Sequence, residues 1–303
     1  MIILDSDIGD DIDDAFAVAM LMHIPEIDLK GITTVYRNCE QRAKIASALL
    51  KLYNREDIGV YAGVNKPIKQ AIYIAPYETK QPDGTPNIPH YYEDMNESVY
   101  KEQHAVDFIL DMLEKHPNEI TLVAIGPLTN FAYAYMKSPD VFKKAKQIVF
   151  MGGQIEGNYA EWNIKCDPEA AKIVFEASVP IKIVTLETTK LCEFSEEDIR
   201  FVQSINTPQM TFINRMFQKW LVDNNGRRPP IMYDPLTVGT LVQDFCEFER
   251  MKVHITLEGK ERAMIRRAKE GESFTVMDVS INVKHREFIE YLKQKLLDTK
   301  EII

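Results

Sequence analysis

The sequence predicts an α/β fold with an open, mostly parallel β-sheet and helices on both faces. Short apolar segments rich in Ile and Val alternate with apolar or amphipathic segments of helical length. The chain has 303 residues, enough to bury a large core, and no linker-like tract divides it. We therefore expect a single domain over residues 1–303.

Strands and helices alternate regularly from the N-terminus to about residue 185. Segments rich in apolar and β-branched residues are predicted as strands at Ile2–Leu4, Leu29–Val35, Val60–Gly63, Ile120–Ile125, Gln147–Met151 and Ile181–Thr185. The intervening predicted helices are Asp13–Met22, Arg42–Leu52, Ala105–Glu114, a helix from the Gly126-Pro127 turn to Met136, and Pro168–Ala177. Such alternation is typical of parallel strands joined by crossover helices.

The C-terminal part is predicted to contain helices around a second group of strands. Helices are expected within residues 195–224, from Pro235 onward and over Arg286–Leu297. Residues 252–283 alternate between apolar and polar side chains, which indicates strands.

Residues 64–97 form the least regular stretch of the sequence. Five prolines and Gly84 interrupt it. Because a loop of this length inside a compact domain is usually functional or mobile, we expect an active-site loop here.

Composition excludes several classes of partner and site. The net charge of −10 argues against a nucleic-acid backbone or an anionic membrane as partner. No segment approaches the roughly 20 apolar residues of a membrane span, and the N-terminal MIILDSD does not resemble a signal peptide, so we expect a cytoplasmic protein. Four scattered cysteines, without a CxxC pair, indicate buried thiols rather than a zinc site.

An unusually acidic segment follows the first predicted strand. Residues 5–14 read DSDIGDDIDD and contain six aspartates. Their mutual repulsion at a buried strand end would raise their pKa values, and a bound cation would relieve it. Ligands that are all oxygen select a hard cation, calcium or magnesium. A solvated helix N-terminus would account for only one or two of the six.

Two other motifs compete for this acidic segment. An EF-hand loop counted from Asp5 would need Gly where Asp10 stands and Glu where Phe16 stands, so that motif fails. A magnesium-dependent phosphatase with Asp5 as nucleophile and Asp7 as acid is the stronger alternative. It leaves Asp13 and Asp14 without a role.

Polar groups also follow later predicted strands, where open α/β sheets hold their ligands. The Gly126-Pro127 turn would expose the carbonyl of Ile125 to a hard cation. Asn158, Glu161 and Asn163 could hydrogen-bond the vicinal hydroxyls of a sugar, or could cap helices. Asp234 could be the N-cap of the helix from Pro235, or could complete a metal site.

These segments together resemble the inosine/uridine-preferring nucleoside hydrolase family. The motifs occur in the family's order: DSDIGDDIDDAFAVAM (5–20), ITTVYRN (32–38), VYAG (60–63), AIGPLTNFA (124–132), MGG (151–153), GNYAEWN (157–163) and YDPLTVG (233–239). They extend over most of the chain, and their combination is specific. The resemblance implies a Rossmann-like core, the nucleoside hydrolase fold and calcium-dependent hydrolysis of the N-glycosidic bond of ribonucleosides to ribose and base.

The resemblance also implies a role for each matching residue. The calcium ligands would be Asp7, Asp14, the Ile125 carbonyl and Asp234. Asp7 would also be the general base on a water molecule that the calcium holds, with Asp5 as support. The ribose would be held by Asp13, Asn158, Glu161 and Asn163, with Asn38 nearby and Trp162 where the family usually has Phe.

The base-binding half departs from the family pattern. Many members have His where this chain has Tyr233, and His90 in the proline-rich loop could supply the missing imidazole. Arg227-Arg228 and Phe217–Trp220 fall where the family closes over the base. The substrate could carry a purine, a pyrimidine or another base. The alternative function is a non-catalytic, calcium-dependent nucleoside- or ribose-binding protein. A homodimer or homotetramer is usual in the family.

Overall fold

The strands of the described residues form one continuous sheet. The computed structural model describes residues 1–74, 78–81 and 84–297. Within them lie nine strands: β1 (Ile2–Ser6), β2 (Leu29–Thr34), β3 (Gly59–Ala62), β4 (Thr121–Ala124), β5 (Gln147–Met151), β6 (Ile181–Val184), β7 (Cys246–Ile255), β8 (Ile265–Arg267) and β9 (Thr275–Val283). Their order across the sheet is β3-β2-β1-β4-β5-β6-β9-β7-β8.

Strand pairing is parallel from β3 across to β9 and antiparallel where β7 meets β8 and β9. The strand order changes direction between β1 and β4, because β2 and β3 lie on one side of β1 while β4, β5 and β6 lie on the other. In β1, Asp5 pairs with Thr33 of β2 and with Ala124 of β4. Open α/β sheets bind ligands at such a switch point, beyond the carboxyl ends of the strands.

Helices cover both faces of the sheet, as the sequence predicts. They are α1 (Asp13–Met22), α2 (Cys39–Leu52), α3 (Ala105–Lys115), α4 (Thr129–Lys137), α5 (Pro139–Phe142), α6 (Trp162–Cys166), α7 (Pro168–Phe175), α8 (Leu186–Thr189), α9 (Glu196–Ser204), α10 (Pro208–Asn224), α11 (Tyr233–Gly239) and α12 (His285–Leu297). Ile2 and Leu4 of β1 enter the core formed with α1, α2, α10, α11 and α12. Ile3 enters the opposite core, with α3, α4 and α7.

The observed boundaries correct several predicted elements. β1 extends two residues past Leu4, to Ser6. The helices expected within residues 195–224 are two, as the plural prediction allowed, because the backbone is extended at Ile205 and Pro208 begins a new helix. The last helix before β7 begins at Tyr233, and its N-cap is Met232. The interpretation of Asp234 as an N-cap is therefore wrong, since Asp234 lies inside the first turn.

The predicted loop 64–97 is tied to the carboxyl end of the sheet. Its residues 75–77 and 82–83 lie outside the described residues. The carbonyls of Val64 and Asn65 accept hydrogen bonds from the amides of Tyr36 and Arg37, at 2.9 and 2.8 Å. A short 3-10 helix, Glu93–Met95, follows near the end of the loop. Among the described residues, no helix is long and apolar enough to cross a membrane.

Candidate active site

The acidic segment (residues 5–14) makes a tight turn between β1 and α1. The Ser6 hydroxyl donates to the Asp14 carboxylate at 2.6 Å, while its oxygen accepts from the Ile8 amide at 3.0 Å. Gly9 has a φ of +117°, and a Cβ added there would lie 2.5 Å from the side chain of Ile88. Glycine is required here because an L side chain would be strained and would clash. The turn thereby folds back over the end of β1.

Arg42 of α2 fixes the path of this acidic segment. Its Nη1 donates to the carbonyls of Asp7 and Ile8, the latter at 2.9 Å, and its Nη2 donates to the Asp10 carboxylate at 2.8 Å. Its Nε donates to the Tyr36 carbonyl at 2.8 Å. The side chain is fully buried, and a buried charge is tolerated only when its hydrogen bonds are satisfied. Sequence reasoning missed this residue, although a charge on the apolar face of α2 was a signal.

Three buried aspartates form a group that could hold a metal ion. One carboxylate oxygen from each of Asp13, Asp14 and Asp234 lies within 4.8 Å of the others. The Asp234 amide donates to the Asp13 carboxylate at 3.1 Å, which joins α11 to α1. The Asp234 Oδ1 atom is buried and finds no hydrogen-bond partner among the described residues. We call these three residues the carboxylate cluster.

Asp7 lies beside the carboxylate cluster, between β1 and the turn after β4. A Cβ added to Gly126 would come within 2.9 Å of the Asp7 carboxylate, so the two backbone segments are in close contact. The neighbouring Ile125 carbonyl accepts from the Asn163 amide group at 3.4 Å. Both predicted sites of metal ligation at the ends of β1 and β4 thus lie at the same edge of the sheet.

Asp5 of β1 supports this edge of the sheet by accepting two hydrogen bonds. Its Oδ1 accepts from Thr33 at 2.6 Å and from Asn130 at 2.7 Å. Its Oδ2 is buried without a hydrogen-bond partner in the described part of the chain. Burial raises the pKa of Asp5 to about 7, despite these two donors.

Burial also raises the pKa values of the other aspartates. It raises the pKa of Asp7 to about 7 and that of Asp13 to about 8. Burial and neighbouring carboxylates raise the pKa values of Asp14 and Asp234 well above the ordinary range. Packed carboxylates cannot all ionise without a compensating charge, so the chemistry of this group fits a divalent cation.

The loop after β5 buries two of the predicted sugar-binding residues at the same edge and leaves the third exposed. Asn163 donates to the Met151 carbonyl at 3.0 Å and is buried. Glu161 is also buried and caps α6, accepting from the amides of Asn163 and Ile164 at 2.8 and 3.2 Å. Asn158 is exposed. The short helix α6 was not expected, and Glu161 is its N-cap. A role of Glu161 toward a sugar stays a prediction.

Asn38 and Trp162 flank the site with contacts of their own. Asn38 caps α2 by accepting from the Gln41 amide at 3.0 Å. Trp162 packs edge-to-face against Tyr73 at 5.6 Å, and the guanidinium of Arg37 lies 5.6 Å from its ring centre. The half-buried indole thus lies between α6 and the segment after β3.

On the far side of the acidic segment, Arg228 lies near two aromatic rings. It forms an ion pair with Asp11. Its guanidinium carbon lies 5.0 Å from the centre of the Trp220 ring and 6.0 Å from that of Tyr233. We call Trp220, Arg228 and Tyr233 the cation–aromatic group. Burial raises the pKa of the Tyr233 phenol, which makes it a weaker acid than a tyrosine in water.

His90 lies next to the acidic segment rather than in solvent. Only 2% of its surface is exposed, and its amide donates to the Gly9 carbonyl at 3.0 Å. Burial lowers the pKa of its imidazole to about 4, even though the carboxylates of Asp10 and Asp11 oppose the shift. The ring is therefore neutral at pH 7.

The sequence of the chain matches a known protein family along almost its whole length. The family model described as inosine-uridine preferring nucleoside hydrolase matches residues 2–290. The chain belongs to this family. It is 30% identical to a probable uridine nucleosidase 2 of Oryza sativa subsp. japonica, over 85% of this chain and 79% of that protein. It is 32% identical to the pyrimidine-specific ribonucleoside hydrolase RihA of Photobacterium profundum, over 80% of this chain and 79% of that protein.

Solved nucleoside hydrolases share the fold. A plant nucleoside hydrolase, PpNRh1, superposes with a TM-score of 0.86 at 25% identity, covering 98% of each chain. A purine-preferring ribonucleoside hydrolase from Gardnerella vaginalis superposes with a TM-score of 0.82 at 24% identity, also covering 98% of each, and shows the fold alone. The predicted fold class and the predicted family are confirmed.

Membership identifies the chain as an N-glycosyl hydrolase that acts on ribonucleosides. The prediction of an enzyme is therefore confirmed. Of the functions considered from the sequence, the family favours the hydrolase over the phosphatase and over a non-catalytic binding protein.

Proposed function

We propose that this nucleoside hydrolase depends on calcium, bound by Asp7, Asp14, the Ile125 carbonyl and Asp234. The observation that carries the proposal is the unpartnered, buried Oδ1 of Asp234 within the carboxylate cluster. Oxygen donors of mixed type suit calcium, which tolerates irregular geometry better than magnesium does. When bound, the ion would acidify a water molecule and ligate the ribose hydroxyls.

In this proposal Asp7 is the general base that takes a proton from the attacking water. A base works best when its pKa lies near the working pH, and burial raises the pKa of Asp7 toward neutrality. The water attacks C1′ of the ribose as the bond to the base breaks. Nearby carboxylates stabilise the positive charge that develops on the sugar.

The ribose would be held by side chains on several loops at this edge. Asp13 and Asn163 are buried beside the cluster, and Glu161 supports Asn163 through its amide. Asn158 and Asn38 would contribute from the rim, with Trp162 packing against the sugar. Each of these roles is a proposal that loss of ribose affinity in the variant would test.

The base would lie against the cation–aromatic group, with Tyr233 and His90 on that side. A neutral His90 and a weakly acidic Tyr233 can orient a base by hydrogen bonds. The relatives named as a uridine nucleosidase and a pyrimidine-specific hydrolase support pyrimidine ribonucleosides as the substrates of this chain. We also propose a homodimer or homotetramer, which light scattering would test.

The experiment that tests calcium dependence combines turnover and binding. Ribose release from a panel of ribonucleosides should stop after chelation and return when calcium, rather than magnesium, is added. Titration calorimetry should show that Asp234→Ala weakens calcium binding by more than about 100-fold, because a direct ligand is removed. Turnover that persists after complete chelation would contradict the proposal.

A matched control separates metal binding from general loss of charge. Asp223 is an acidic residue on α10 that pairs with Lys219 at 2.6 Å. The variant Asp223→Ala should bind calcium as the unmodified protein does. Equal weakening in both variants would mean that Asp234 acts only through net charge.

A further inference from the structure

Arg42 and Arg228 both bind the acidic segment, but they differ in how their donors are used. All three nitrogens of Arg42 donate to protein oxygens. Arg228 uses Nη2 for Asp11, but its buried Nη1 has no hydrogen-bond partner among the described residues. A buried charged donor without a partner is costly and rare in folded proteins. An unpaired donor on Arg228 therefore indicates a ligand atom.

The guanidinium of Arg228 is held in place from several directions. Its carbon lies 5.0 Å from the centre of the Trp220 ring, and its Nη2 is fixed by Asp11. The backbone of Arg228 is fixed as well, because its carbonyl accepts from Asn224 at 2.5 Å. Tyr233 approaches from the side of the carboxylate cluster, one residue before Asp234. Arg228 therefore lies near both the acidic segment and the start of α11, through its ion pair with Asp11 and its approach to Tyr233.

Glycosidic cleavage leaves negative charge on the departing base. The electron pair of the C1′–N bond moves onto the base, and either a proton or a cation must stabilise it. At neutral pH His90 is not the imidazolium that could protonate the base, since burial lowers the pKa of its imidazole to about 4. Within the described residues around the cation–aromatic group, Arg228 is the fixed cation with a donor to spare.

We propose that Arg228 donates from Nη1 to a carbonyl oxygen of the departing base and so stabilises the base as an anion. The proposal rests on the hydrolase function above and deepens it. It favours ribonucleosides whose base has a carbonyl beside the glycosidic nitrogen, as uracil does, because the charge on that nitrogen is shared with the oxygen. A guanidinium is suited to this task because it stays charged and keeps its geometry.

The step balances without a further reactant. The C1′–N bond breaks and its electron pair stays with the base, where Arg228 faces the carbonyl oxygen. The oxygen of water forms the new bond to C1′, and its proton passes to Asp7. The released base takes a proton from solvent, and Asp7 returns its proton to solvent.

Two substrates with different leaving groups test this role. Uridine needs stabilisation of its departing base, whereas p-nitrophenyl riboside releases a phenolate that stabilises its own charge. For Arg228→Gln we expect kcat/KM on uridine to fall by about 100-fold, as when one oxyanion donor is removed. On p-nitrophenyl riboside we expect a change within about threefold. Added guanidine should partly restore uridine hydrolysis by an Arg228→Ala variant.

An exposed arginine on another helix provides the control. Arg200 of α9 pairs with Glu196 at 3.4 Å, and 70% of its side chain is exposed. Arg200→Gln removes the same charge from the surface, and it should leave the ratio of the two rates unchanged. Calcium titration of Arg228→Gln shows whether the acidic segment remains intact.

The outcomes separate this inference from the proposed function. If the unmodified protein releases ribose from neither substrate, the proposed function fails. If it hydrolyses both, and Arg228→Gln slows both equally, Arg228 only holds Asp11 and the inference is overturned. A selective loss on uridine, with rescue by guanidine, supports contact between Arg228 and the base.

Discussion

The carboxylate cluster and the cation–aromatic group lie on two sides of one site, and they differ in what holds them. Asp13 and Asp14 on α1 and Asp234 on α11 are buried between packed helices. Arg228 lies in the connection between α10 and α11, and 38% of its side chain is exposed. Substitutions in the cluster should therefore affect every substrate. Substitutions in the cation–aromatic group should change the ranking of substrates.

The largest expected effect comes from Asp7, which lies next to the cluster. Asp7→Asn should keep the fold, because the two side chains have nearly the same shape. It should lower kcat by roughly 10³-fold or more on every ribonucleoside, since the general base is lost. Ribose release under saturating substrate measures this, with circular dichroism as the check on folding. Near-normal turnover would remove Asp7 as the base.

A substitution of Arg42 tests how much the contacts beside the carboxylate cluster contribute to the stability of the protein. Arg42→Met should lower the free energy of unfolding by about 3–5 kcal/mol, because it leaves the carbonyls of Asp7, Ile8 and Tyr36 without their buried donor and removes one of the two arginines that pair with Asp10. Urea unfolding measures the loss. Arg55→Met is a matched control, since Arg55 pairs with the exposed Asp57, and it should cost less than about 1 kcal/mol. Equal losses of unfolding free energy in the two variants would show that Arg42 stabilises the protein no more than an exposed arginine does.

The pH dependence of stability should also distinguish the cluster. Burial raises the pKa values of Asp5 and Asp7 to about 7 and of Asp13 to about 8. A carboxyl whose folded pKa exceeds its unfolded pKa binds protons in the folded state that the unfolded state releases, so stability is lost as pH rises.

The chelated protein should therefore have a falling melting temperature as the pH is raised from about 5 to about 8. Calcium should make the melting temperature depend less on pH, because the bound ion compensates the negative charge of the ionised carboxylates. Scanning calorimetry at several pH values, with and without calcium, measures both. A melting temperature of the chelated protein that rises over this interval would contradict the assignment of buried, protonated carboxyls.

Tyr233→Phe should produce the smallest effect, and it tests the cation–aromatic group. Loss of the hydroxyl should slow the hydrolysis of uridine by about fivefold and that of p-nitrophenyl riboside by less than about twofold. The phenol then assists the leaving base without being its main source of protons. Equal slowing of both substrates would instead assign Tyr233 to support of Asp234.

The two sides also differ in how far the sequence reveals them. Repulsion among six aspartates at a buried strand end predicts a bound cation in the acidic segment. The separate roles of Asp7, Asp13 and Asp14 within that segment are implied only by the family resemblance. Asp234 could be assigned only through the family resemblance, and its local pattern favoured a cap that the structure does not show. Local spacing does not distinguish a ligand in a first helical turn from a residue just before it.

The ion pair between Asp11 and Arg228 lies beyond any local pattern, because 217 residues separate its partners. Arg42 was missed for another reason. A single arginine on a helix is usually solvated, and its burial here depends on where the acidic segment folds. In both cases the three-dimensional contact, rather than the residue type, carries the information.

The cluster joins distant parts of the chain, since the Asp13 and Asp234 contact spans 221 residues. During synthesis, α1 emerges long before α11, so a high-affinity ion site cannot form until most of the polypeptide has left the ribosome. An ion bound there would then act as a clasp between early and late segments. Any opening that separates α1 from α11 would release it, and free calcium would oppose that opening by mass action.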